Sequence, residues 1–265
     1  MWNTFILSPM VNVLIWIYNL IFNNFGLAII VFTILIRLVT YPLTAQQVKG
    51  QQKMQDLQKS KKWQEIQKKY KDDKEKLAQE QMGIYKEMGI NPLGSCLPLI
   101  IQFPIMIGLY QSISLAMASA PIQLLSLSRD LYAFIPASVL IPLNSTFLWM
   151  NLGLPEVASP NAIAIFGFAL PIMTVIVVIT TFMQSKLMTP AAQPGDQGAQ
   201  MSKMMNLYMP ILMGWIAYTL ASGLALYFVV SNILAIAQYA IMGKVNWSNL
   251  LPGNLLPKKK VVIKK

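Results

Sequence analysis

Five apolar segments of 16 to 26 residues, near the length that crosses a lipid bilayer as a helix, dominate this chain of 265 residues. An α-helix rises about 1.5 Å per residue, so about 20 apolar residues cross the hydrocarbon core of a bilayer. Backbone polar groups in that core must be hydrogen-bonded within the protein, which favours helices for continuous segments of this length. We therefore expect an all-α polytopic membrane protein with five transmembrane helices. The five segments are 26–44, 93–118, 161–183, 205–220 and 222–242.

The composition agrees with a membrane protein. The residues are 55% hydrophobic and only 12% charged, whereas soluble domains carry about 25% charged residues. The net charge of +11 is concentrated in two regions: residues 49–87 hold 11 of the 21 Lys and Arg residues, and residues 244–265 hold 6 more lysines. Because these lysines flank apolar segments, we interpret them first as a topology signal and only second as a site for nucleic acid.

The charges of the loops predict the topology, because cytoplasmic loops of membrane proteins are enriched in Lys and Arg. We place a helical hairpin at 45–92, a loop at 184–204 and a basic tail at 243–265 in the cytoplasm. The connection at 119–160, which carries a net negative charge, is placed outside. Five spans are consistent with this arrangement only if the N-terminus is outside and the C-terminus is cytoplasmic. Contact of the tail with ribosomal RNA stays open, and no DNA partner is expected.

Residues 1–25 precede the first predicted span. They are apolar but interrupted by Asn12 and Asn19, and they carry Trp2 and Trp16. Aromatic residues on an interrupted apolar helix are typical of a helix that lies in the membrane interface. We predict an interfacial amphipathic helix here, with a short additional span as the alternative.

The hairpin predicted at 45–92 consists of two helices joined by a polar turn at 71–74. Apolar residues recur mostly at spacings of three and four, as expected for a narrow apolar stripe on each helix. Packing of the two stripes against each other gives a small core outside the membrane. The stripe residues are Met54, Leu57, Trp63, Ile66, Tyr70, Leu77 and Tyr85.

Arg37 is a full positive charge inside the first predicted span, and none of the five spans contains Asp or Glu. An arginine near the centre of a membrane helix costs about 2.5–3.5 kcal/mol on insertion scales. Its side chain can extend to the cytoplasmic headgroups, or it can lie in a hydrated cavity that also receives an anionic partner. The polar residues scattered elsewhere in the spans favour such a cavity, although each also suits an ordinary interhelical hydrogen bond. These residues include Thr33, Gln102, Thr174, Thr180, Thr181, Ser231, Asn232 and Gln238.

Covalent catalysis is not indicated by any motif. The chain has one cysteine, Cys96, and no histidine, so an internal disulfide is impossible and a metal site built from His and Cys is not expected. The spans also lack the acid pairs or the nucleophile and base of intramembrane proteases. We predict no enzyme activity, no cofactor and no metal, and we interpret Cys96 as structural.

Three segments resemble signature sequences of the YidC/Oxa family of membrane protein insertases. They are "IRLVTYPLT" at 36–44, "INPLGSCLPLIIQFPIMIGLY" at 90–110 and "SGLALYFVVSN" at 222–232. The resemblance implies a hydrophilic groove among the five spans, open to the cytoplasm and the lipid and closed to the outside. On this resemblance Arg37 matches the groove arginine, and Thr33 and Gln102 match polar groove positions. Tyr227 matches the first of two adjacent aromatic residues, and Phe228 stands where some relatives have Tyr.

The resemblance also implies a function without covalent chemistry: transfer of nascent membrane proteins from the cytoplasm into the lipid bilayer of a bacterial plasma membrane. Expected partners are the ribosome and the signal recognition pathway, with the Sec translocon as a further candidate. A small-solute or anion channel is the main alternative, since an arginine in a hydrated cavity also suits an anion pathway. A factor that only folds inserted proteins is a third alternative.

Overall fold

The computed structural model describes residues 1–70, 73–89, 97–117, 125, 127, 130–132, 135, 143–165, 168–188 and 197–245. Cys96, most of the connection at 119–142, the centre of the loop at 184–204 and the tail beyond residue 245 lie outside these ranges. The described part is mainly helical, with a π-helical segment Asn3–Leu7 leading into the first helix. The helices are α1 (Ser8–Leu20), α2 (Phe25–Val39), α3 (Tyr41–Lys59), α4 (Lys61–Lys69), α5 (Lys74–Glu87), α6 (Leu97–Ala116), α7 (Ile172–Met188), α8 (Gln197–Thr219) and α9 (Ser222–Ile241).

The helix that carries Arg37 begins and ends at identifiable signals. Asn24 caps α2, because its side chain accepts a hydrogen bond from the backbone N–H of Leu27 at 3.0 Å. At the other end α2 and α3 meet at Thr40 with a bend of 59°. Pro42 follows the bend directly, and its missing N–H leaves the carbonyl of Leu38 without the usual intrahelical donor. The segment predicted as one span at 26–44 is therefore bent near its end.

Helix α9 lies at the centre of the bundle and packs against α2, α6, α7 and α8. Every residue of its first two turns, 222–228, is buried. The bundle core includes residues from α1, α2, α6 and α9, among them Leu14, Ile29, Leu109 and Leu224, each fully buried. A central helix of this kind contacts most of the bundle at once, so its polar side chains can bridge several helices.

A compact, partly β-structured segment at 143–165 closes one end of the bundle. Within it, strands β1 (Thr146–Phe147) and β2 (Met150–Asn151) pair in antiparallel fashion. At its end, β3 (Ala164–Ile165) pairs in the same way with β4 (Phe168–Ala169), which follows the segment. These short strands are a departure from the predicted all-α fold. The backbone N–H groups of Ser222 and Gly223 donate to the carbonyls of Leu154 and Leu152, at 2.8 and 3.0 Å. The segment thus caps the start of α9 with backbone acceptors.

Glu156 lies in the same segment and is only 2% exposed. Its carboxylate accepts hydrogen bonds from the indole N–H of Trp149 at 2.8 Å and from the backbone N–H groups of Met173 and Thr174, at 2.8 and 3.3 Å. The last two belong to the first turn of α7, where free N–H groups and the helix dipole stabilise a negative charge. A buried carboxylate therefore fixes the start of α7.

The predicted two-helix hairpin contains three helices. A break at Ser60 divides its first arm into α3 and α4, and the Ser60 hydroxyl accepts from the backbone N–H of Trp63 at 3.3 Å. Asp73 caps α5 in the same way through Lys76. The caps explain the division, since Ser and Asp favour helix starts.

Two helical stretches in the described ranges are long and apolar enough to cross a membrane on their own, Asn3–Leu20 and Ser222–Ile241. Phe25–Val39 together with Tyr41–Met54 meets the same criterion as one bent pair, and Ile172–Met188 is apolar but shorter. These findings agree with a helical membrane protein. The number of five spans stays a prediction, and so does the interfacial position of residues 1–25.

Candidate functional site around Arg37

Arg37 is partly buried and bonded to a neutral residue. Its Nη2 donates to the carbonyl oxygen of Ser231 at 2.9 Å and to the Ser231 hydroxyl oxygen at 2.5 Å. Within the described ranges the ion pairs are Lys62–Glu87 and Lys76–Asp73, both in the helices α4 and α5 and the turn between them. The described partner of the guanidinium is thus a serine of the central helix and not a carboxylate.

Helix α9 contacts Arg37 a second time, through Gln238 and the backbone carbonyl of Arg37. Gln238 is 8% exposed, and its Nε2 donates to that carbonyl at 3.1 Å. Its Oε1 is buried and has no hydrogen-bond partner among the described residues. A buried acceptor without a donor is unfavourable by about 1–3 kcal/mol, so this position favours a donor if one enters.

Gln102 and Tyr227 form the next contact along α9. Gln102 Nε2 donates to the Tyr227 hydroxyl oxygen at 2.8 Å, which joins α6 to α9. Tyr227 is 2% exposed and its ring lies 5.7 Å from that of Phe228, which is 4% exposed. In this conformation both aromatic residues are part of the packed core and do not line an open surface.

Three of these contacts share one face of α9. Tyr227 and Ser231 are four residues apart, and Gln238 follows seven residues later, so their side chains project in similar directions. The face therefore presents a phenol, a hydroxyl and an amide to α2 and α6. The predicted residues Arg37, Gln102, Tyr227 and Gln238 are brought together along it.

Thr33 does not join this hydrogen-bonded face. Its side chain is fully buried, and its hydroxyl donates to the carbonyl of Ile29 at 2.6 Å, one turn earlier in α2. Asn232 turns to another helix, where its Nδ2 donates to the hydroxyl oxygens of Thr180 and Thr181 at 3.1 and 2.9 Å. Asn232, Thr180 and Thr181 therefore form an ordinary interhelical hydrogen bond, which is one of the two alternatives for the polar residues of the spans.

The described cavity lies elsewhere. It has a volume of about 300 Å³ between the N-terminal segment and α6, and Arg37 is not among its lining residues. Those residues include Asn3, Tyr110, Gln111 and Asp130.

The hairpin residues are mostly grouped as the stripe predicts. Leu57 and Trp63 are buried together with Ile84, and Met54, Ile66 and Tyr85 pack against them. The rings of Trp63 and Tyr85 lie 5.5 Å apart. Leu77 is 6% exposed but lies outside that cluster, and Tyr70 stacks under the ammonium group of Lys69 at 5.1 Å.

Three residues at or near the site have a weak signal in the sequence or none: Ser231, Gln51 and Tyr239. Ser231 is one polar residue among several in its apolar segment, although its spacing from Tyr227 puts it on the same face. Tyr239 donates from its hydroxyl to Gln51 Oε1 at 3.1 Å, 188 residues away in sequence. No spacing rule connects residues on different helices, so this contact had no signal in the sequence.

The fold and the site define a helical membrane protein in which an arginine, without a carboxylate partner among the described residues, is held against neutral groups of a central helix. Comparison with known proteins assigns the family. The model of the 60Kd inner membrane protein family matches residues 16–248. The membrane protein insertase YidC 2 of Listeria innocua is 36% identical over 242 residues, which cover 89% of this chain and 70% of that protein. The YidC of Prosthecochloris aestuarii is 34% identical over 241 residues, 88% of this chain but 35% of the relative.

A solved structure supports the same assignment. The crystal structure of an active YidC insertase with its first transmembrane domain resolved matches with a TM-score of 0.56 and 26% identity. The match covers 89% of this chain and 46% of the other. The chain thus belongs to the 60Kd inner membrane protein family, the YidC/Oxa family of insertases, and the resemblance found in its sequence is confirmed. It spans about a third of the Prosthecochloris relative and over two thirds of the Listeria relative.

Proposed function

We propose that this protein inserts segments of nascent membrane proteins from the cytoplasm into the lipid bilayer of a bacterial membrane. The observation that carries the proposal is Arg37, a cation in an apolar helix whose described partner, Ser231, is neutral. A hydrogen bond from a guanidinium to a carboxylate is stronger than one to a hydroxyl. An acidic or polar segment of a substrate therefore competes well for Arg37.

The free energy that drives insertion comes from burial of the substrate's own apolar segment in lipid. Arg37 and the polar face of α9 lower the free energy of the substrate's polar flank part-way into the membrane. The apolar segment of the substrate then partitions into lipid, which is favourable in proportion to the apolar area removed from water. No covalent bond changes, so the proposed activity is transfer and not an enzymatic reaction.

The groove proposed here is a hydrated space among α2, α6 and α9, formed when Ser231 and Gln238 release Arg37. The segment at 143–165 closes the opposite end, which we place outside the membrane. In this arrangement the termini have the predicted topology, with the N-terminus outside and the C-terminus in the cytoplasm. The helices α3, α4 and α5 receive the incoming segment on the cytoplasmic side.

Partners follow from the same proposal. Nascent membrane proteins are the substrates, and the lysines of the hairpin and the tail add affinity for the ribosome or for anionic lipid. Delivery by the signal recognition pathway and cooperation with the Sec translocon are further parts of the proposal.

Reconstitution tests the function directly. Purified protein in liposomes is expected to speed the insertion of a small substrate with one or two spans, measured by protection of a tagged loop from protease. Matched liposomes measure flux of a fluorescent anion. Insertion without flux supports the proposal, whereas flux without insertion supports an anion channel. Absence of insertion, with crosslinking to finished spans, supports a folding factor instead.

A further inference from the structure

Two consecutive residues of α9 hold the two sides of the bend between α2 and α3. Gln238 donates to the carbonyl of Arg37 at the end of α2, at 3.1 Å. Tyr239 donates to Gln51 Oε1, on α3, also at 3.1 Å. The last turns of one helix thereby contact both arms of a second, bent helix.

The bend depends on such contacts because its own backbone is incompletely bonded. Pro42 supplies no N–H, so the hydrogen-bond ladder is interrupted where the chain turns by 59°. One turn does cross the junction, because the backbone N–H and the hydroxyl of Thr44 both donate to the Thr40 carbonyl, at 2.9 and 3.1 Å. The carbonyl of Leu38 still lacks the donor that a residue other than Pro42 would supply. Side chains of a neighbouring helix that contact both arms therefore help to set the angle.

The same part of α9 holds the guanidinium. Ser231 lies two turns before Gln238 and accepts from Arg37 Nη2. Three bonds thus join the Arg37 region to α9. The Arg37 side chain is bonded to Ser231, its backbone carbonyl to Gln238, and Gln51 of the following helix to Tyr239. A change that moves Arg37 away from α9 also strains the contacts at the bend.

We propose that Tyr239 and Gln51 are positioning residues that form a latch with Gln238 and set the angle between α2 and α3. Closed, the latch holds the helices of the hairpin at the angle seen here. Opened, it lets α3 swing about Thr40 while α2 remains in the bundle. A single hydrogen bond between neutral groups is weak enough to break and re-form, which suits a contact that cycles. That the swing regulates entry of a substrate to Arg37 rests on the proposed function.

The angle is measurable without any substrate. Spin labels on Asp56→Cys of α3 and Leu207→Cys of α8, in a Cys96→Ser background, report it by pulsed electron double resonance in nanodiscs. Both chosen side chains are exposed, and Cys96 is the one native cysteine. Asp56 lies 16 residues beyond Thr40, so a 15° change of angle moves it by about 6 Å.

Tyr239→Phe and Gln51→Leu each remove one hydrogen-bonding partner and keep most of the packing. Each is expected to shift or broaden the distance distribution, and the double variant is expected to match the single ones. Gln51→Glu keeps an acceptor and is expected to retain the wild-type distribution. Tyr218→Phe is the matched control, since it removes a hydroxyl from an exposed tyrosine of α8. It is also expected to retain the wild-type distance distribution.

Wild-type distributions in both Tyr239→Phe and Gln51→Leu overturn the latch, and so does a shift in only one of them. The insertion assay is run on the same variants. A several-fold change in insertion rate that accompanies the shift supports the regulatory role. An unchanged rate beside a shifted distance overturns that role alone. A wild-type protein without insertion activity overturns the proposed function and leaves the distance result to decide the latch.

Discussion

Arg37 and Ser231 are joined by two hydrogen bonds from one nitrogen, at 2.9 Å to the carbonyl and 2.5 Å to the hydroxyl, across 194 residues of sequence. The pairing gives the cation of an apolar helix a neutral partner. We propose that its charge is available to a second molecule, and the variants below test that consequence.

Arg37→Lys is expected to retain more insertion activity than Arg37→Ala, because the positive charge remains although the fork-shaped geometry is lost. We expect a loss of tenfold or more for Arg37→Ala with a substrate whose translocated segment is acidic. A substrate with an uncharged segment is expected to lose less. Rates of protease protection in liposomes measure both. Equal activity of both variants with the wild type would reduce Arg37 to a topology anchor.

Ser231→Asp places a carboxylate beside Arg37 and creates an internal ion pair. Because that carboxylate competes with acidic substrates, we expect insertion of such substrates to fall about tenfold, which corresponds to about 1.4 kcal/mol. The asparagine of Ser231→Asn has nearly the same shape as the aspartate but no charge, so this variant is expected to lose far less insertion activity. Photocrosslinking from a neighbouring position to ribosome-bound chains gives an independent reading. If the two variants behave alike, competition for the charge is not the cause.

Tyr227→Phe leaves the amide of Gln102 without its described acceptor, and we expect a loss of about 1–2 kcal/mol in free energy of unfolding. Tyr227→Phe combined with Gln102→Leu removes both partners and is expected to recover part of the loss. Unfolding in detergent, followed by circular dichroism, measures the differences. Strict additivity of the two changes would contradict the hydrogen bond.

Glu156→Ala removes the acceptor for the Trp149 indole and for the first turn of α7. We expect a loss of about 2–3 kcal/mol, because buried donors are left unpaired and a helix cap is lost. Glu156→Gln keeps one carbonyl oxygen and is expected to lose less. The exposed Glu65→Ala is the control, with an unchanged melting temperature. An equal result for Glu156→Ala and Glu65→Ala would show that the carboxylate does not fix α7.

Gly26→Ala tests how closely the segment at 143–165 packs on α2. A Cβ at Gly26 would lie 2.1 Å from the ring of Phe147, and we expect a loss of about 1–3 kcal/mol from overpacking. In Gly26→Ala/Phe147→Ala the loss is expected to be smaller than the sum of the single changes. Gly83→Ala, where a Cβ meets nothing within 4 Å, is expected to stabilise α5 slightly. Melting temperatures of Gly26→Ala, Phe147→Ala, the double variant and Gly83→Ala measure these differences. A fully additive double variant would contradict the close contact between Gly26 and Phe147.

Arg37, Gln102, Tyr227 and Gln238 are candidate site residues from the sequence, and the structure brings them together along α9. Polar residues are rare in apolar segments, so each of the four is visible against its surroundings. The resemblance makes Thr33 a groove candidate as well, and that stays a prediction, since its hydroxyl is hydrogen-bonded within α2. Spacing gives the face of a helix and not the rotamer, which local backbone acceptors decide.

The sequence by itself determined that the chain is a helical membrane protein of the insertase family, with a charge that its own spans cannot neutralise. Those conclusions depend on composition, on the length of apolar segments and on local motifs. Tertiary structure alone decided the partners: Ser231 for the guanidinium, Gln51 for Tyr239 and the first turn of α7 for Glu156. Each joins residues of different elements, and their meeting depends on how helices pack and where α2 bends. Hydrogen bonds act over about 3 Å, so a partner far away in sequence is fixed only when the whole bundle is assembled.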